Sequence, residues 1–127
     1  MEATFCKRER LVSKILIDKL FGDEASRSAN GYPLRVVYNI RQRQQDDEPI
    51  QILISVPKKR FHHAVDRNRV KRQIREAYRH QKQQLLAAVH DDKALMIAFV
   101  WIADRHVATD FVADKMKKLL AHITTKL

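Results

Sequence analysis

The stretch KKRFHHAVDRNRVKRQIREAYRHQK, Lys58 to Lys82, decides how this chain folds. It contains neither glycine nor proline, and from Arg67 onward it is dense in helix-favouring residues. With Ile74 set at zero and about 100° added per residue, Val70, Ala77, Tyr78, Gln81, Leu85, Ala88 and Val89 fall within roughly 60° of it. They form the expected buried face. Lys71, Lys82, Arg75, Asn68, Arg79 and Arg72 follow between about 60° and 160° as one continuous polar stripe. Asp66 stands where an N-cap is wanted, so the pattern predicts a helix that begins near Arg67.

The flanks supply the partners for that helix. Upstream, Ile50 to Val56 alternates Ile50, Ile52, Ile54 and Val56 against Gln51, Leu53 and Ser55, the period of a strand. Leu34 to Ile40 is β-branched and aromatic, and reads as a strand that pairs with it across the polar connection Arg41–Pro49. Downstream, Ala94 to Ala103 is a continuous apolar run. Its length suits a strand covered on both faces, with a buried helix as the alternative. Thr109 or Asp110 can cap a last helix with Phe111, Val112, Met116, Leu119, Leu120 and Ile123 on its apolar side. At the other end Leu11, Ile15, Ile17, Leu20 and Phe21 recur at helical spacing before Gly22. The Ser26–Asn30 loop, with Gly31 and Pro33, leaves room for a short strand near Ala29–Pro33. The order is α-β-β-α-β-α, or α-β-β-β-α-β-α with that strand. This is an α+β fold with helices packed on a sheet, in a single domain spanning residues 1–127.

Charge narrows the function. The chain has 127 residues with 25 Lys+Arg against 15 Asp+Glu, a net +10. Residues 58–82 hold ten of those cations against Asp66 and Glu76, and so supply +8 of the total. A polyanion is the expected partner, nucleic acid ahead of an anionic membrane surface. Cys6 is the only cysteine, which excludes an intrachain disulfide and a cysteine-based zinc site. The start of the chain lacks the apolar core of a signal peptide, and Ala94–Ala103 falls well short of a membrane span, so a soluble cytoplasmic protein is expected. The histidines show no metal-ligating spacing, and no glycine-rich phosphate loop exists; no protein metal site is expected. The acids cluster in the loops at Asp46–Glu48 and Asp91–Asp92, while the strands carry almost none. A protein catalytic centre is therefore not expected.

The run Lys58 to Glu76 resembles the signature of the bacterial ribonuclease P protein component. The resemblance rests on Arg67-Asn68-Arg69, the following Lys71-Arg72 and Arg75, the preceding Ala64-Val65, and Ser55-Val56 with Lys58-Lys59 at the end of the strand. It implies a left-handed βαβ crossover through the basic helix. It also implies the role of a small protein subunit, one per RNA, that assists a catalytic RNA. That RNA, with Mg²⁺, removes the 5′ leader from precursor tRNA, and the protein supplies no catalytic residue. By matching position, Arg67, Asn68, Arg69, Lys71, Arg72 and Arg75, with Lys58 and Lys59, would contact the RNA subunit. Ile17, Phe21, Val36, Tyr38 and Ser55 would line a track for the single-stranded leader between the first helix and the exposed sheet face. Bases stack on aromatic and apolar surfaces, and Tyr38 offers a ring with a polar tip. Two positions depart from the family pattern: His62-His63 replaces the usual Gly-Asn, and Ile17 stands where Phe is common. An RNA-binding module of another kind and a protein-only nuclease are the competing readings.

Overall fold

The computed structural model describes residues 20–22, 26–44 and 48–127. Residues 20–22 are helical; the rest of the helix expected over Arg10–Phe21, including Ile17, lies outside the described residues. Strands β1 (Arg27–Gly31), β2 (Leu34–Gln42) and β3 (Ile50–Ser55) precede helix α1 (Ala64–Ala88), which is followed by strand β4 (Lys93–Trp101) and helix α2 (Thr109–Thr124). The order is the predicted α-β-β-β-α-β-α, and β1 is the short strand for which the loop left room.

The sheet order is β1-β2-β4-β3. β2 runs antiparallel to both β1 and β4, and β3 runs parallel to β4. The expected pairing of the second and third strands as a hairpin is therefore wrong: β4 lies between them. The reason is in its composition. Leu95, Met96, Ile97, Ala98 and Phe99 are all buried, so β4 has apolar side chains on both faces and belongs at the centre of the sheet. α1 makes the crossover from β3 to β4.

The two faces of the sheet differ. Val36, Tyr38, Ile52, Ile97, Phe99 and Trp101 pack against Val70, Ile74 and Tyr78 of α1 and Val112, Met116 and Ile123 of α2, forming the main core. On the opposite face Leu20 packs on Val37, Met96 and Ala98, with Leu53 beside them. Two glutamines tie α1 to α2 and the loop before it, since Gln73 Nε2 donates to the Val107 carbonyl of that loop at 2.7 Å and Gln81 Nε2 to the Ala113 carbonyl of α2 at 2.9 Å.

Periodicity places Val70, Ile74, Ala77, Tyr78, Leu85 and Val89 correctly in the interior. Lys82, assigned to the polar stripe, is only 4% exposed. It sits at the boundary between the faces, where a long methylene stem can be buried. The helix also starts three residues before the predicted point. Its N-cap is His63, whose side chain makes no capping bond; Asp66, expected at the cap, lies in the first turn and meets His106 Nε2 at 3.1 Å.

Candidate nucleic-acid interface

α1 is 25 residues long, a rod of roughly 38 Å at 1.5 Å per residue. With one side sunk on the sheet and α2 along a flank, its remaining side carries the motif residues. Asn68, Arg69 and Arg72 are exposed, while Lys71 and Arg75 are half-buried along their stems. None of these four cations has a salt-bridge partner among the described residues. Lys58 and Lys59 project from the turn after β3, which the Arg60 amide closes by donating to the Pro57 carbonyl at 3.0 Å.

Other cations of the motif are spent on the protein itself. Arg67 donates from Nη1 to the carbonyls of Phe61 and His62, both at 2.9 Å, and so ties the incoming loop to the first turn of α1. Arg60 turns back to Asp104 at 2.8 Å. Arg79 grips Glu76 with Nη2 at 2.7 Å and Nε at 3.2 Å, and His80 lies 3.5 Å from the same carboxylate. The Arg79 hydrogen bond is the main cause holding the Glu76 carboxyl below its ordinary range. Desolvation opposes it as the next largest cause, and the charges of Arg79, His80 and Arg75 add to the lowering. The stripe is thus not wholly without acid partners, but its single acid is neutralised within one turn.

The second surface is the sheet face that α1 and α2 leave uncovered. Cross-strand partners share a face, so the register places Ser55, Val100 and Arg35, then Asn30, in one row across all four strands. The neighbouring row is Leu53, Ala98, Val37 and Ser28. Ser55 is half-buried and Arg35 exposed on this face, and Phe21, 49% exposed, stands at the helix end whose Leu20 packs there. Val36 and Tyr38 are not part of it. They are 0% and 2% exposed and sit in the core beneath the helices, because their side chains have the opposite parity along β2. Sequence reasoning passed over Arg35, exposed on this face, and Asn39, which shares its parity but is 6% exposed and donates to Ser26 Oγ at 3.0 Å. They flank Val37 at i−2 and i+2, and their polarity marks the outward parity of a strand whose centre is apolar throughout.

Among the described residues no group of three or more His, Cys, Asp or Glu comes together to hold a metal ion, and no helix is long and apolar enough to cross a membrane.

A cationic helix on one face of a four-stranded mixed sheet, with a half-open polar row on the other, defines a small α+β protein of basic character. Residues 5–124 match the Ribonuclease P family, and the chain belongs to it, as a protein component of a tRNA-processing ribonuclease. Relatives include the ribonuclease P protein component of Porphyromonas gingivalis, 39% identical over 124 residues and covering 95% of this chain and 88% of the relative. That of Chlorobium phaeobacteroides is 36% identical over 127 residues, covering 92% and 86%. The fold is shared with the RNase P protein from Thermotoga maritima at a TM-score of 0.63 and 22% identity, covering 90% of this chain and 96% of that one. It is shared also with the Staphylococcus aureus RNase P protein at 0.59 and 22%, covering 93% and 94%.

Proposed function

We propose that this protein binds the RNA subunit of ribonuclease P through the exposed side of α1 and holds the single-stranded 5′ leader of precursor tRNA on the open sheet face. The observation that supports the first half is the run of Arg69, Lys71, Arg72 and Arg75, cations on one helix without salt-bridge partners among the described residues. Phosphates would replace the solvent and counterions on those side chains, with a gain from counterion release. Asn68 adds a donor for phosphate or sugar, Lys58 and Lys59 extend the surface past the helix, and Arg67 contributes the edge of its guanidinium that the loop carbonyls leave free.

The leader track, in this reading, uses Phe21 and Ser55, with Ile17 four residues before Phe21 in the sequence, and takes the exposed Arg35 in place of the buried Val36 and Tyr38. An apolar floor with a cationic edge suits an unpaired strand, whose bases need surface and whose backbone needs charge. Bond cleavage belongs to the RNA with its Mg²⁺. The described residues of the protein offer no carboxylate cluster that fits the ion, so no step is assigned to one. One protein acts per RNA, in the cytoplasm.

Reconstitution tests the whole reading. The protein is mixed with a bacterial ribonuclease P RNA and precursor tRNA at low Mg²⁺. Faster cleavage and tighter precursor binding than with RNA alone are expected. No gain in either abolishes the proposal, and cleavage without any RNA subunit points to a protein-only nuclease.

A further inference from the structure

Four contacts cross from the loop joining β4 to α2 onto the basic helix and the loop that precedes it. Arg60 Nη1 meets Asp104 Oδ1 at 2.8 Å. The His106 ring stacks on Phe61, with centroids 4.7 Å apart and planes 24° apart. His106 Nε2 lies 3.1 Å from Asp66 Oδ1, and Gln73 reaches the Val107 carbonyl. His106 is central to this set, since it alone touches both the loop before α1 and the first turn of α1. A carboxylate only accepts, so Nε2 carries the proton that binds Asp66. Phe61 in turn is held from the other side by Arg67, through its carbonyl.

Resting on the functional reading above, we propose that His106 is a positioning residue for the RNA-binding surface. By gripping Asp66 and Phe61 together it fixes the turn bearing Lys58 and Lys59 relative to Asn68, Arg69 and Arg72, so that the two cationic segments present one surface. It also pairs with the only acid in the first turn of α1, whose side chain remains 39% exposed. The loop after β4 has no charge run and no motif of its own; its part in recognition is to hold another element in place.

The test compares His106→Ala, His106→Gln, Asp66→Asn and the double variant Asp66→Asn/His106→Ala for affinity to ribonuclease P RNA, with far-UV circular dichroism and thermal melting as folding controls. His106→Ala is expected to weaken binding by about fivefold, a modest value for a coupled contact. His106→Gln keeps an amide donor for Asp66 and should recover most of that loss. The double variant should bind no worse than His106→Ala alone. Wild-type affinity in a folded His106→Ala overturns the proposal, as do additive losses in the double variant or a glutamine that rescues nothing. Arg69→Ala serves as the reference. If Arg69→Ala loses affinity while His106→Ala does not, only this inference fails. If the wild-type protein does not bind the RNA, the functional reading falls first.

Discussion

Val37 and Tyr38 are neighbours in β2 and point to opposite sides of the sheet. Val37 opposes Ala98 beneath Leu20, and Tyr38 opposes Ile97 beneath the helices. A one-residue change in parity exchanges every side chain of a strand between core and surface. Here it separates the side that carries the exposed Arg35 from the side that packs on the helices.

Tyr38→Ala should therefore act as a core deletion. Removing a fully buried aromatic side chain costs about 3 kcal/mol or more, and binding of precursor and mature tRNA should fall together as the folded fraction falls. Arg35→Ala, at an exposed position, should change stability by less than about 0.5 kcal/mol and weaken precursor tRNA while leaving mature tRNA unchanged. Urea denaturation and paired binding titrations of the two variants check both halves. A stable Tyr38→Ala protein with a precursor-specific defect would return Tyr38 to the leader track.

How far the sequence could be read follows from the kind of signal each element has. α1 was legible to within a turn at its start, because Val70, Ile74 and Tyr78 recur at a helical period against charged neighbours. β2 was legible as a strand but not in its parity. Val36, Val37 and Tyr38 are all apolar, and only Arg35 and Asn39 mark the outward side. The neighbour of β3 was not legible at all. β4 reaches the centre of the sheet by a contact distant in sequence, and local patterning favours the adjacent strand instead. The division of the cations was hidden for another reason. Arg67 and Arg69 are equal as charges, but Arg67 is committed to the carbonyls of Phe61 and His62, and a backbone acceptor leaves no trace in composition.

Gly31 is constrained by proximity. A Cβ placed there would lie 3.2 Å from Cγ of Leu119 and 3.3 Å from both of its terminal carbons. Because β1 is the edge strand against α2, Gly31→Ala should cost about 1 kcal/mol, and Gly31→Val, which adds two further carbons against Leu119, about 2–3 kcal/mol. Denaturant midpoints with unchanged slopes would register this. Equal stability of all three proteins would show that Leu119 moves aside freely.

Glu76 supplies a pH dependence with a definite sign. Its carboxyl is held below the ordinary 4.5, chiefly by the Arg79 hydrogen bond. A depressed carboxylate stabilises the folded state above its unfolded pKa, and the contribution is lost as pH falls through the lower folded value. The pair is half-exposed and solvent screens it, so Glu76→Gln should cost no more than about 0.5 kcal/mol near neutrality, with the difference vanishing in acid. The same substitution removes the acid from the cationic stripe, so RNA affinity should rise. Thermal melts across pH 3–7, run alongside RNA titrations, test the two effects separately; a lower affinity for Glu76→Gln would mean that Arg79 must be held by Glu76 to serve the interface.

The strongest discrimination among the arginines comes from salt. An arginine that meets a phosphate contributes about one unit to the slope of log affinity against log salt. Arg69 is exposed and has no salt-bridge partner among the described residues, so Arg69→Ala should lower affinity and flatten the slope by about that amount. Arg79 is already paired with Glu76, and its loss also leaves that carboxylate uncovered. Arg79→Ala should therefore weaken binding through repulsion, with a smaller change in the number of counterions released. Binding titrations from low to high monovalent salt separate the two cases. Equal flattening by both variants would mean that Arg79 leaves Glu76 when RNA arrives, and that the whole stripe from Arg69 to Arg79 meets the phosphate backbone.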